Sequence, residues 1–344
     1  MNFTPSMVTT SDAGAGIGYT GMRIRGSDAT RINVTLNGIP INDSESHGVY
    51  WVNMPDLSSS LDEIQIQRGV GTSSNGAAAF GATVNLKSSS FSKEAFTEIN
   101  QTIGSFNTLK TNVKFNTGII DNNFNFEGRL SRIISDGYID RAKSDLYSYF
   151  FTGGYYGEKT TIKALIFGGQ EESYQAWYGT PEARLTGNET KLQAVIDNSG
   201  EYNTAEQLDN LLNSDRRFNY YLYENEIDHY EQDHNQIHLN HAFNNDLNIA
   251  VSGHYTHGEG YYEQYRTNDN LTDYKLDNII VGNDTITQTD LIRRRWLNND
   301  FYGFTYAFNY NKDNLLMTLG GGYNTYKGKH FGEIIWSKFA STST

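Results

Sequence analysis

The residues most capable of chemistry crowd into INDSESHGVYW, Ile41 to Trp51, where Asn42, Asp43, Ser44, Glu45, Ser46, His47, Tyr50 and Trp51 share one short span. A serine, an imidazole and a carboxylate together invite a nucleophilic reading. Residues of a single turn cannot act as nucleophile, base and orienter without partners from elsewhere, and the sequence identifies none. No catalytic set is expected, and the span reads as a solvated loop offering carboxylates, an amide, an imidazole and two aromatic rings. The candidate metal ligands are His229, His234, His238 and His241. His238 and His241 lie three apart on an expected strand and so point to opposite faces. His229 and His234 fall in an expected loop, and neither spacing nor companions match a ligand pattern. They read as hydrated residues of a rim, with no metal site and no cofactor. Gly16, Gly18 and Gly21 fit G-x-G-x-x-G, but no apolar strand precedes them and no helix opens after them, so the dinucleotide reading fails its context.

A second candidate is the acidic segment from Glu171 to Asn235, threaded by Trp177, Tyr178, Tyr220, Tyr221 and further rings. Acidic loops solvate a rim or bridge divalent ions to lipopolysaccharide. Trp177 and Tyr178 also offer rigid amphipathic contact area, which suits a planar chelate or a sugar.

What must hold these residues in place is a series of strands. In Phe301 to Tyr310, the side chains of Tyr302, Phe304, Tyr306, Phe308 and Tyr310 share one face, against Gly303, Thr305, Ala307 and Asn309. Leu247 to Thr256 and Phe124 to Ser131 alternate in the same way, and each can reach the ~10 residues of a transmembrane strand. Connections sort by length. Beyond the first hairpin, tight turns such as IIDNN, GEKT, NND and NKDN alternate with longer returns, including 171–235 and 258–300. Short periplasmic turns and long extracellular loops are the pattern of outer-membrane barrels, and a soluble sandwich has no reason to sort its loops so. About nine strands are expected after residue 90. Before it, the segments are short, glycine-rich and mixed, with strands near Met22 to Ile24, Arg31 to Leu36, Ile64 to Arg68 and Ala82 to Lys87, and a helix near Pro55 to Leu61.

Composition agrees. No apolar run approaches the ~20 residues of a spanning helix, mean hydropathy is -0.59, and the 344 residues include 24 Tyr, 18 Phe and no Cys. Barrel strands show lipid only at alternate residues, so hydropathy stays low while aromatic girdles raise the ring count. The formal charge of -13 disfavours a nucleic-acid partner, which requires a basic stripe.

Two stretches then carry a family resemblance. RIRGSDATRINVTLNGIP, Arg23 to Pro40, and LDEIQIQRGVGTSSNGAAAFGATVNLK, Leu61 to Lys87, resemble the plug of a TonB-dependent outer-membrane receptor: an arginine-glycine pair with a strand into "DG-x-P", then an "I-x-V-x-R-G" strand and a glycine-rich return. Asn37 replaces the common acidic residue and Val70 the common proline. The resemblance implies a mainly β fold, a partial antiparallel transmembrane β-barrel with a small α+β plug domain, the plug over 1–90 and the first barrel strands over 91–344. Plugged transporters of this class have about 22 strands, so strands are expected to be missing. Met1 leads into NFTPSMVTTSDAG without a signal-peptide pattern, and is read as an internal start that lacks the TonB-contacting segment.

The implied function is active import of an extracellular ligand across the outer membrane of a Gram-negative cell, with the TonB protein, the ligand, outer-membrane lipid and lipopolysaccharide as partners and no enzymatic step. An iron chelate such as a siderophore or haem is the expected cargo. Cobalamin or glycan uptake, or a non-transporting adhesin or porin-like barrel, are the alternatives. Carried onto this chain, the apex of the plug falls on Ile41 to Trp51, so the expected ligand contacts are Asn42, Asp43, Glu45, His47, Tyr50 and Trp51, joined by Trp177 and Tyr178. Arg25 and Arg68 occupy the two arginine-glycine motifs, which in the family tie plug to barrel carboxylates.

Overall fold

The computed structural model describes residues 4–70, 80–89 and 91–340. Most of the glycine-rich return, over 71–79, lies outside them. The chain opens with a two-stranded antiparallel ribbon of β1 (Met7–Ser11) and β2 (Thr20–Ile24), with Met7 opposite Ile24 and Ser11 opposite Thr20. Then come β3 (Ile32–Leu36), β4 (Ile39–Pro40), β5 (Leu61–Arg68) and β6 (Ala82–Ser88). They form a mixed sheet ordered β4-β3-β6-β5, with β3 and β6 parallel. Asn37 and Gly38 turn β3 into β4 with φ of 53° and 83°, a left-handed pair that Asn-Gly tolerates better than any other dipeptide. The helix expected over Pro55 to Leu61 is instead one 3-10 turn, Leu57–Ser60. Its capping residue Asp56 makes no cap hydrogen bond, because its carboxylate is held by other partners described below.

The remainder is one nine-stranded antiparallel sheet, here called the wall. Its strands are β7 (Ala95–Ile103), β8 (Leu109–Thr117), β9 (Phe124–Ser135), β10 (Ser144–Tyr156), β11 (Thr160–Tyr174), then β12 (Ile227–Ala242) and β13 (Leu247–Asn270). A small ribbon, β14 (Ile279–Val281) and β15 (Asp284–Ile286), precedes β16 (Gln288–Lys312) and β17 (Leu315–Ser337). The strands grow from 9 residues in β7 to 25 in β16, well past the ten expected. The span 258–300 is therefore not a loop: β13 and β16 pair through most of it, down to Asn270 opposite Gln288. Its aromatic and charged residues hid a ladder that continues beyond the apolar stretch. The return expected over 171–235 likewise contracts to 175–226 and carries three helices, α1 (Glu182–Leu185), α2 (Glu189–Ser199) and α3 (Ala205–Asn213). Thr204 and Gln207 close α3 with a reciprocal capping box.

The faces of the wall reverse the order of a soluble protein. On β9, Asn125, Glu127, Arg129 and Ser131 are buried, while Phe126 and Leu130 are about half exposed at 48% and 57%. On β16 the exposed set is Tyr302, Phe304, Tyr306 and Phe308. Polar residues face inward because the plug sheet sits there to bind them. Phe150, Leu165 and Phe167 are among the apolar exceptions, and they join Ile32, Val34, Leu36, Val84 and Leu86 in one core cluster. Gly169 permits this close approach, since a Cβ there would lie 2.5 Å from the Pro55 ring. Among the described residues no helix is long and apolar enough to cross a membrane, which says nothing of strands.

Candidate functional site

The apex between β4 and the Trp51–Asn53 turn is built by its own side chains. Asn42 accepts from the Val34 amide at 2.7 Å and donates to the Ile32 and His47 carbonyls at 2.9 Å each. Asp43 Oδ1 accepts from the Glu45 and Ser46 amides at 3.0 and 2.6 Å, and from the Ser46 hydroxyl at 2.8 Å. This is an Asx turn that replaces backbone pairing the loop lacks. His47 takes a left-handed φ of 61°, and Trp51 packs on the plug core. Tyr50 stands out at 46% exposed.

Facing this loop, the inward sides of β11, β12, β13, β16 and β17 enclose a cavity of about 460 Å³. Asn42, Asp43, Glu45, Tyr50 and Trp177 line it, whereas His47, Trp51 and Tyr178 do not. Tyr178 instead packs with its ring tilted against Tyr220, centroids 5.0 Å apart, over a second cavity of about 800 Å³ under the 175–226 return. Glu45 reaches across to His330 at 3.1 Å. The rings around the first cavity meet edge-on, Trp177 lying 5.9 Å from Tyr19 and 5.6 Å from Tyr262. His229 and His234, expected in a loop, are both on β12. His234 is buried with its ring stacked on Phe167 at 4.5 Å. No group of three or more metal-ligating side chains occurs among the described residues.

Sequence reasoning missed the acids in this wall. Glu171 and Asp228 are buried, lie on neighbouring strands and line the cavity with Tyr19, which comes from the plug and donates to Asp228. The polar outward neighbours Gln170 and Glu172 set this level above the apolar band of β11. Burial raises the Glu171 carboxyl well above its ordinary range, and the Asp228 charge adds to it. Asp228 is raised too, by burial, with the Tyr19 hydrogen bond opposing. Only the alternation of QEESY and IDHY, taken with a register that the sequence does not give, could have brought the two together.

Plug and wall are tied at another point. Asp56 accepts from Lys110, from Arg129 Nη1 at 3.2 Å, from Asn112 at 2.9 Å and from Ser131 at 2.7 Å. Lys163 donates to the Ser88 hydroxyl and the Ser89 carbonyl, both at 2.8 Å. The carboxylate thus belongs to the plug and the cations to the wall, the opposite polarity to the one expected for Arg25 and Arg68. Both of those arginines are exposed, and Arg68 donates only to the Pro5 carbonyl at 3.3 Å among the described hydrogen bonds.

Against known proteins, residues 1–83 match the family model of the TonB-dependent receptor plug domain. No curated protein matches the chain at a significant level. Among solved structures, the chain is similar to BauA, the ferric preacinetobactin receptor from Acinetobacter baumannii, with a TM-score of 0.64, 14% identity, and coverage of 96% of this chain and 44% of that one. It is similar to the ferripyoverdine receptor of the outer membrane of Pseudomonas aeruginosa, with a TM-score of 0.63, 12% identity, and coverage of 96% and 40%. The copper transporter OprC matches with a TM-score of 0.62 and 11% identity, over 95% and 42%. The chain therefore spans less than half the length of these three structures, and at these identities they speak for the fold. Residues 1–83 thus match the plug domain of TonB-dependent receptors, and the chain as a whole has the fold of the receptors it is compared with, plug against the inner face of the wall.

Proposed function

We propose that this chain belongs to an outer-membrane transporter that captures an extracellular ligand between plug apex and wall and imports it using energy delivered through the TonB protein. The observation that carries the reading is the cavity of about 460 Å³ whose lining comes half from the plug loop and half from the wall. A ligand held there touches both parts, so its arrival can change how they fit. A passive pore gains nothing from such a plug. In this reading the exposed rings of β9 and β16 meet outer-membrane lipid, the long returns face outward toward lipopolysaccharide, and the tight turns face the periplasm.

The cargo we favour is an iron chelate. Two of the similar structures are named as the ferric preacinetobactin receptor and the ferripyoverdine receptor, and an aromatic cavity with polar rim groups suits a large, semi-planar polar ligand. Four carboxylates in the lining favour a chelate that brings no net negative charge. Deleting the gene that encodes the receptor is expected to impair growth when iron is supplied as one particular chelate, with recovery on complementation. Normal growth on every iron source, with failure on a glycan or on cobalamin, would replace the cargo and keep the transporter.

A further inference from the structure

Asp43, Glu45, Glu171 and Asp228 line the apex cavity, and among the described residues no lysine or arginine does. Asp43 is occupied by its own turn and Glu45 by His330. The other two carboxyls have no cation. Glu171 is fully buried, and neither of its oxygens has a hydrogen-bond partner, whereas buried polar groups are nearly always paired. The hydroxyls of Ser173 and Tyr19 lie close enough to favour its charged form, but by distance and angle Tyr19 donates to Asp228 and Ser173 to Ser144, leaving both Glu171 oxygens without a well-formed bond. Register places the two carboxyls on the same inward face, since Glu171 opposes Tyr230 while Ser173 opposes Asp228.

We propose that Glu171 and Asp228 form a subsite for one positively charged group of the ligand, an ammonium or a guanidinium, with the rings of Tyr19 and Trp177 beside it. Two carboxylates cannot both stay ionised in a buried site without a counter-charge, so in the absence of a cation the pair keeps a proton. An arriving cation supplies the counter-charge, the proton leaves to solvent, and the cation shares the Asp228 carboxylate with the Tyr19 hydroxyl. Charge-assisted hydrogen bonds and the ring faces then both favour the cation. Because Tyr19 belongs to the plug, filling this subsite alters a contact between plug and wall. A metal ion is a poorer occupant, since calcium needs six or more oxygen ligands and no cluster of that kind is present among the described residues.

The inference rests on the transport reading only in calling the occupant cargo. Its test uses the detergent-purified receptor, with thermal unfolding and tryptophan fluorescence recorded against n-butylammonium and agmatine, and against n-butanol as the neutral match. The cations are expected to bind about tenfold or more tightly than the alcohol. Glu171→Gln and Asp228→Asn are expected to remove the difference, while Glu172→Gln, on the outward face and half exposed, retains it. If Glu171→Gln does not fold, Asp228→Asn decides. Equal binding of alcohol and cation, no binding of either cation, a preference that survives both inward substitutions, or stabilisation by calcium alone would each overturn the subsite. Uptake that depends on the receptor while these cations fail to bind leaves transport standing. Absence of any uptake deficit sinks transport whatever the cations do.

Discussion

At the scale of single residues, the apex separates side chains that shape the loop from those that face the cavity. Asn42 and Asp43 already direct their polar atoms into the loop itself, and Trp51 packs on the plug core beside Ile41 and Val49. Tyr50 lines the cavity and is half exposed. Tyr50→Ala is therefore expected to weaken ligand binding by ~1 to 3 kcal/mol, as loss of an anchor does, with plug stability unchanged. Trp51→Ala is expected to lower stability by roughly 3 kcal/mol and to affect binding only through that loss. Paired measurements of ligand affinity and thermal unfolding separate the two, and a Trp51→Ala protein with full stability and lost affinity contradicts the assignment. The sequence showed that this span was chemically rich. It could not show which polar atoms were taken, because an Asx turn and a ligand contact use the same residue types.

At the scale of elements, alternation in three strands together with the spacing of the turns gave about nine wall strands, and four plug strands were found to within a few residues, while β1 and β4 were not expected. What stayed hidden was where the strands stop. Alternation of apolar and polar residues marks a strand only while one face meets something apolar, and above that level β13 and β16 present Glu259, Tyr261 and Arg295 on a ladder that continues in register as far as a bulge between Arg266 and Asp269. The helices of the 175–226 return were equally illegible, since a short acidic helix held by its caps carries little periodic signal. This return leans on Glu226, whose carboxyl burial raises to about 8, opposed by the Tyr265 amide and then by Arg266 and Arg293. The folded return therefore holds a proton that the unfolded chain has already released above the ordinary carboxyl range. Stability is greatest below that range and falls as pH rises through about 8. Limited proteolysis of the return is expected to be slower at acidic than at alkaline pH, and Glu226→Gln is expected to flatten that dependence. A variant with the same slope as the parent would assign the effect to another group.

At the scale of the whole molecule, plug and wall form one structure held by an apolar cluster and by a charged tie centred on Asp56. Asp56 and Arg129 are each 1% exposed, so removing either leaves an uncompensated buried charge, at a cost of about 3 to 5 kcal/mol. Asp56→Ala is expected to free the plug from the wall, read as faster proteolytic cleavage within residues 4–70, with the wall ladder intact by hydrogen exchange. Equal plug protection in variant and parent would show that the apolar cluster suffices. The ribbon of β1 and β2 adds a mechanical consequence. Its open end is the pair Met7 and Ile24, so a pull applied N-terminal to Met7 loads one pair at a time and peels the ribbon like a zip. The parallel pairing of β3 with β6 is loaded along its length and resists together. The last pair to open, Ser11 with Thr20, lies next to Tyr19, so traction spends itself on the ribbon first and arrives at the Asp228 contact while the plug sheet is still whole.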